Sequence, residues 1–243
     1  MFDSIYEKRL GLKEIALNSW AIFKKQFKNI FIITMIVYLP LNILLYFLNG
    51  PDDLDSMKGF FHISTLIQNA FSIIAIMSVA VIAEKTIKRN KLNRDDLKVS
   101  LLKSLKRWGS CFSTQILSVL IILGLSLLLV IPGIIWAFYY VFIIQTIVLK
   151  DLNLKEALNH SRSLVEENFW YVLGILLLSF IIMFVIIFPI GFLSAYLPSS
   201  IVIIIDTFID MLLLYVHTII TVVFLNLDYL KNADKSSEEI SEL

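Results

Sequence analysis

The sequence predicts an all-α, polytopic membrane protein: six transmembrane helices in three hairpins, each hairpin preceded by an amphipathic interfacial helix. Three observations predict it. The first is composition. Of the 243 residues, 58% are hydrophobic and only 17% charged, with a mean hydropathy of +0.82, whereas a soluble domain is about 45–50% apolar and about 25% charged. The excess falls in runs close to the ~20 residues that cross a hydrocarbon core about 30 Å thick. A backbone in lipid must satisfy its own hydrogen bonds, so such runs are helices. The second is that Lys and Arg, Lys58 apart, are confined to alternate connections. The third is that one polar, helix-periodic segment recurs before each odd-numbered span.

Residues 1–28 form an N-terminal amphipathic segment. Leu12, Ile15, Ala16, Ser19, Trp20, Phe23 and Phe27 recur at spacings of 3 and 4, on one helix face, with Lys8, Arg9, Lys13, Lys24, Lys25 and Lys28 around the rest. The six-span membrane domain covers residues 29–227. Span 1 runs from Asn29 to Leu48 with Pro40 inside it, a position that kinks a helix. Asn49-Gly50-Pro51 ends it, and the following loop carries Asp52, Asp53, Asp55 and Lys58. Span 2 is Phe61–Ala83. Residues 84–110 are the most basic stretch of the chain. Span 3 is Cys111–Ile131, closed by Pro132-Gly133, with almost no loop before span 4, Ile134–Leu149. After a polar stretch come span 5, Phe169–Leu193, with Pro189 marking its end, and span 6, Ile201–Leu227. Residues 228–243 form a polar tail expected to fray. No small-residue cleavage site follows the first apolar run, which reads as a retained span.

Six spans place both termini on one side of the membrane. Twenty of the twenty-one Lys and Arg residues fall on that side, and Lys58 alone falls on the other. Positive charge marks the cytoplasmic side, so the expected location is the cell membrane, multi-pass, with N- and C-termini cytoplasmic.

The spacing Leu-Lys-x5-Ser-x7-Phe occurs three times: Leu12-Lys13, Ser19, Phe27; Leu97-Lys98, Ser104, Phe112; and Leu154-Lys155, Ser161, Phe169. Each copy precedes an odd-numbered span. The pattern reads as three units, each an amphipathic helix followed by a hairpin. Three parallel copies favour a pseudo-threefold bundle over the inverted repeats of many transporters.

The stretch from Ile131-Pro132-Gly133-Ile134-Ile135-Trp136, through Leu154-Lys155-Glu156-Ala157-Leu158-Asn159-His160-Ser161, to Asn168-Phe169-Trp170 resembles the integral-membrane domain of bacterial glycerophosphodiester phosphodiesterases and its stand-alone relatives. The match is best over residues 128–185. In those fusion proteins the phosphodiesterase activity belongs to a separate soluble barrel. The resemblance therefore implies a membrane region, carries over no catalytic residue, and associates the chain with lipid handling by neighbourhood only.

Among candidate functional residues, Asp206 and Asp210 are the intramembrane acids, four apart on span 6, and His217 lies seven beyond Asp210 on nearly the same stripe. Ionisable groups in a membrane are costly and usually functional. This stripe can relay protons, hold an ion, or form a polar network with neighbouring spans. Asp210 and His217 are about 10 Å apart along the axis, too far to share a metal. Asn42, Gln68, Asn69, Gln115 and Gln145 read as interhelical hydrogen-bonding groups, and Gly124, Ser126, Gly174 and Ser179 as points of close helix approach. In the basic stretch, Lys98, Lys103, Lys106 and Arg107 are candidate contacts for anionic lipid headgroups. His160 and Ser161 are adjacent, so on a helix they point apart and make no dyad.

Cys111 is the lone cysteine, which excludes an intrachain disulfide. No catalytic motif and no cofactor site is legible, and the expected partners are membrane lipids and a membrane protein, with no nucleic acid. The functional expectation is a non-enzymatic membrane scaffold or accessory protein linked to lipids or a membrane complex. The alternative is a small transporter or lipid-translocating protein using the span 6 acids, which requires a cavity between the spans.

Overall fold

The computed structural model describes residues 2–49, 63–89, 95–194 and 196–241. Expectations placed on Gly50, Pro51, Asp52, Asp53, Asp55, Lys58 and the Phe61 start of span 2, and on residues 90–94 of the basic stretch, lie outside the described residues. After a short 3-10 turn at Asp3–Tyr6, the described chain is helical throughout: α1 (Leu12–Lys25), α2 (Phe27–Asn49), α3 (Ile63–Arg89), α4 (Asp96–Leu128), α5 (Val130–Tyr139), α6 (Ile143–Lys150), α7 (Leu154–Glu166), α8 (Phe169–Ser194) and α9 (Ser199–Ser241). Six stretches are long and apolar enough to cross a membrane: Phe27–Phe47, Thr65–Arg89, Asp96–Leu128, Val130–Lys150, Phe169–Leu193 and Ile201–Ala233.

The core sits on α9 and α3. Residues 218–228 of α9 are all buried, enclosed by α1, α3, α7, α8 and the N-terminal turn. By contrast α4 and α8 carry large apolar side chains outward, Leu127, Phe180 and Phe188 among them. Such faces are stable only against lipid or another apolar surface.

The amphipathic segments are built differently in the three units. α1 is separated from α2 at Gln26, and α7 from α8 at Glu167-Asn168. The second segment is continuous with its span in α4. Its first turns run antiparallel against α3: Lys85 Nζ is 2.7 Å from Asp96 Oδ1, the Ser78 hydroxyl donates to Ser104 Oγ at 3.0 Å, and Trp108 Nε1 donates to Ala70 O at 2.7 Å. Small serines on both helices permit that approach.

Three boundaries differ from the sequence reading. The turn between spans 3 and 4 is the single extended residue Leu129 (φ −153°, ψ 131°), not Pro132-Gly133. Pro132 sits in the first turn of α5, where a helix has no intrahelical partner for its amides and proline is tolerated. Pro189 does not end span 5; it lies inside α8, which continues to Ser194. The tail does not fray at residue 228, because α9 continues to Ser241. The tail's start is tied to α7: Lys231 Nζ donates to a Glu167 carboxylate oxygen and, at 3.5 Å, to Ser163 O.

Gly133 closes the α4–α5 hairpin. A Cβ added there meets the Ser126 hydroxyl and lies 2.9 Å from Ser126 Cβ and 3.1 Å from Ser126 Cα. Backbone has to move to admit it. Gly133→Ala is therefore expected to cost about 1–3 kcal/mol by overpacking, read as a lowered midpoint of thermal unfolding in detergent. Gly124→Ala, with open space around the new methyl, is the control. Equal midpoints for the two variants would contradict the close approach.

Candidate functional site

Helical periodicity builds a cavity of about 800 Å³ between α3, α4 and α9, with Tyr38 of α2 and Ile144 of α6 completing its wall. On α4, Phe112, Gln115, Ile116, Val119 and Leu120 line it at i, i+3, i+4, i+7 and i+8, one face of one helix. On α9, Asp210, Leu213 and His217 do so at i, i+3 and i+7. Gln68, Asn69 and Ser72 bring polar groups from α3. Leu66, Ile116, Val119 and Leu120 are 47–61% exposed, which sets the rim of the cavity on the lipid-facing side of the bundle.

Asp210 is 6% exposed. Asn42 Nδ2 donates to its Oδ2 at 2.9 Å and to Thr207 Oγ1 at 3.1 Å, and Thr207 in turn donates to Ile203 O at 2.8 Å. The network ties α2 to α9 and orients the carboxylate. Asn42 is the one donor that reaches the carboxylate among the described residues. His217 lines the same cavity two turns along, and no described residue hydrogen-bonds its ring. Asp206 is exposed and outside the lining. The structure thus brings Asp210 and His217 together on one wall and leaves Asp206 apart.

The basic candidates divide as well. Arg107 is not free: its Nε and Nη2 lie 3.0 Å and 2.9 Å from Asp151 Oδ1, and its Nη1 donates to Asn153 Oδ1 at 2.9 Å. Lys103 Nζ is 3.5 Å from the other Asp151 oxygen. Asp151 is fixed by its left-handed conformation (φ 58°), the stop signal of α6, which Asp adopts more readily than most residues. Lys98 and Lys106 are exposed.

Of the polar span residues, Asn42 bridges helices as expected, and Gln145 Nε2 reaches Thr221 Oγ1 at 3.4 Å. Gln68, Asn69 and Gln115 face the cavity instead. Among the described residues no three His, Cys, Asp or Glu side chains are grouped to hold a metal.

Two polar centres were not singled out from the sequence. Asn226 is fully buried: its Oδ1 accepts from Leu10 N at 3.2 Å, and its Nδ2 donates to Ile5 O at 2.8 Å and Lys8 O at 2.9 Å. Tyr171 adds a hydroxyl bond to Leu10 O at 2.7 Å. Beside this anchor, burial and the Glu84 carboxylate push the Tyr6 phenol up to about 12, so the ring packs as a neutral group. Asp228 joins three helices, accepting from Lys150 Nζ at 2.5 Å and facing His160 Nε2 at 3.0 Å. Lone polar residues near the inner end of an apolar helix give no periodic signal, so neither partner set is legible in advance.

No curated protein and no solved structure matches the chain. A family model does, that of the domain of unknown function DUF7847, over residues 61–229. The match takes in the α3, α4, α6 and α9 walls of the cavity and leaves out α2, which supplies Tyr38 and Asn42. By that match, covering well over half of its length, this chain belongs to the DUF7847 family.

Proposed function

We propose that the protein is a non-enzymatic protein of the cell membrane, with both termini cytoplasmic, that holds a lipid-like amphiphile in the cavity between α3, α4 and α9. The observation that carries the reading is the cavity itself. Its volume, about 800 Å³, lies within the roughly 300–1,000 Å³ of ligand sites. It combines apolar walls with a few convergent polar groups, and its rim faces lipid. The orientation rests on the segregation of Lys and Arg. The threefold repeat is part of the same reading. Ser19, Ser104 and Ser161 are all fully buried, and so are Ile15, Ser100 and Ala157 four residues before each, so the three segments turn one face inward.

A scaffold or accessory role, organising lipid or a membrane-protein partner, is the second reading. It is favoured by the stacked Phe180, Phe184 and Phe188 ladder along exposed α8, with centroids 6.3 Å and 5.0 Å apart. Translocation of the bound amphiphile would use the same cavity and Asp210.

The test is retention. Wild type and Ile116→Trp, which fills the cavity from its exposed rim, are extracted from membranes in polymer discs. Native mass spectrometry is then used to identify and count bound amphiphiles. About one tightly held molecule per chain is expected for wild type and none for Ile116→Trp. An identical lipid complement on both proteins would remove the cavity from the function and leave the scaffold reading.

A further inference from the structure

We infer that the cavity selects a cationic amphiphile, whose ammonium group sits against Asp210 and whose chain runs out past Ile116 and Leu120; this rests on the ligand-holding reading above. The argument begins with charge. Among the described residues the lining contains one carboxylate and no Lys or Arg. Asp210 is buried and receives a single amide hydrogen bond, from Asn42. A carboxylate held among membrane helices without a countercharge is costly, and an ion pair relieves that cost only when the partner is close and well placed. An ammonium group entering with the ligand supplies the missing cation. An anionic headgroup meets the opposite situation: repulsion from Asp210 and, among the described lining residues, no cation to receive it.

The surroundings suit an ammonium group in one further way. Tyr38 lines the cavity with the acid, and an aromatic face attracts an ammonium group. The His217 ring, about 10 Å further along the same wall and with no hydrogen-bond partner among the described residues, is too far from Asp210 to share that group and offers an acceptor to a second polar group of the amphiphile. The rest of the wall is apolar, and its exposed rim residues Leu66, Ile116, Val119 and Leu120 allow entry sideways from the bilayer, the route open to an amphiphile.

Equilibrium binding to the full chain in neutral nanodiscs tests this, using labelled dodecylammonium and dodecyltrimethylammonium as cations, dodecyl sulfate as anion and dodecanol as neutral probe. Both cations are expected to bind, with loss of at least about tenfold in affinity in Asp210→Asn, as for removal of a charge-assisted contact. Asp210→Glu keeps the charge and is expected to keep binding, which separates charge from misfolding, and Asp206→Asn, outside the lining, is expected to bind like wild type. Competition by phosphatidylethanolamine would support an aminolipid of the bilayer as the source; cation binding without that competition would support a foreign single-chain amphiphile. Equal binding of dodecanol and the cations, unaffected by Asp210→Asn, would overturn the charge selection and leave the ligand-holding reading standing. Absence of binding by every probe to wild type, with Ile116→Trp indistinguishable from it, would overturn both.

Discussion

Asn226→Leu releases the N-terminal segment from the bundle and lowers stability by about 3 kcal/mol or more. The magnitude follows from three backbone groups, Leu10 N, Ile5 O and Lys8 O, that the Asn226 amide satisfies where water does not reach. Each buried polar group left without a partner costs about 1–3 kcal/mol, and leucine offers none of them anything. The affected stretch packs Phe2, Ile5 and Leu10 against α9, so its release also exposes apolar surface. Limited trypsinolysis in detergent gives the readout. Lys8 and Arg9 lie within the anchored stretch, so Asn226→Leu is expected to be cut there many times faster than wild type, with a lowered unfolding midpoint. Wild-type cleavage rates at Lys8 and Arg9 would show that the anchor does not hold the segment.

Ser161→Ala is the second large effect, expected at about 2–4 kcal/mol. The fourth crossing is not one helix. It breaks over Tyr140–Phe142, between α5 and α6. Backbone groups freed at the break are taken up by a residue 22 and 19 positions away: the Ser161 hydroxyl donates to Tyr139 O at 2.8 Å and accepts from Phe142 N at 3.1 Å. Ser161 is fully buried, so alanine leaves a donor and an acceptor unpaired. Hydrogen exchange should accelerate at the Phe142 amide and thermal stability should fall. Ser163→Ala removes a local bond to His160 O on the same helix, and a change of that kind stays within about 0.5 kcal/mol. If both serine variants unfold at the same temperature, the break is held by something other than Ser161.

The Tyr140–Phe142 break shows why part of the fold was hidden. Residues 134–149 read as an unbroken apolar run, with no proline or glycine within residues 134–149 to mark an interruption. The signal lay in α7, and a hydrogen bond between distant residues has no local pattern. The prolines misled in the opposite direction. Pro132 and Pro189 punctuate the sequence, yet one occupies a first turn where its missing N–H costs nothing and the other is carried inside α8. The candidate site was legible in half. The seven-residue spacing of Asp210 and His217 put them on one stripe, and the structure places both on the cavity wall. Asp206 is only 40° from Asp210 on a helical wheel by the 100° step of an α-helix. Burial of Asp210 under the Asn42 hydrogen bond, and the exposure of Asp206, decided between them.

What the sequence determined by itself was the helical class, the six spans and the grouping of positive charge, because each follows from what a residue does in water or in lipid. What only the tertiary structure decided was which apolar face meets another helix, which meets the bilayer and which encloses a cavity. In a soluble protein that choice is written in polarity. Here a leucine facing lipid and a leucine facing a neighbouring helix are both in apolar surroundings, so Leu120 on the cavity rim and Leu214 in the core look alike in the chain. They are told apart only once the helices have packed.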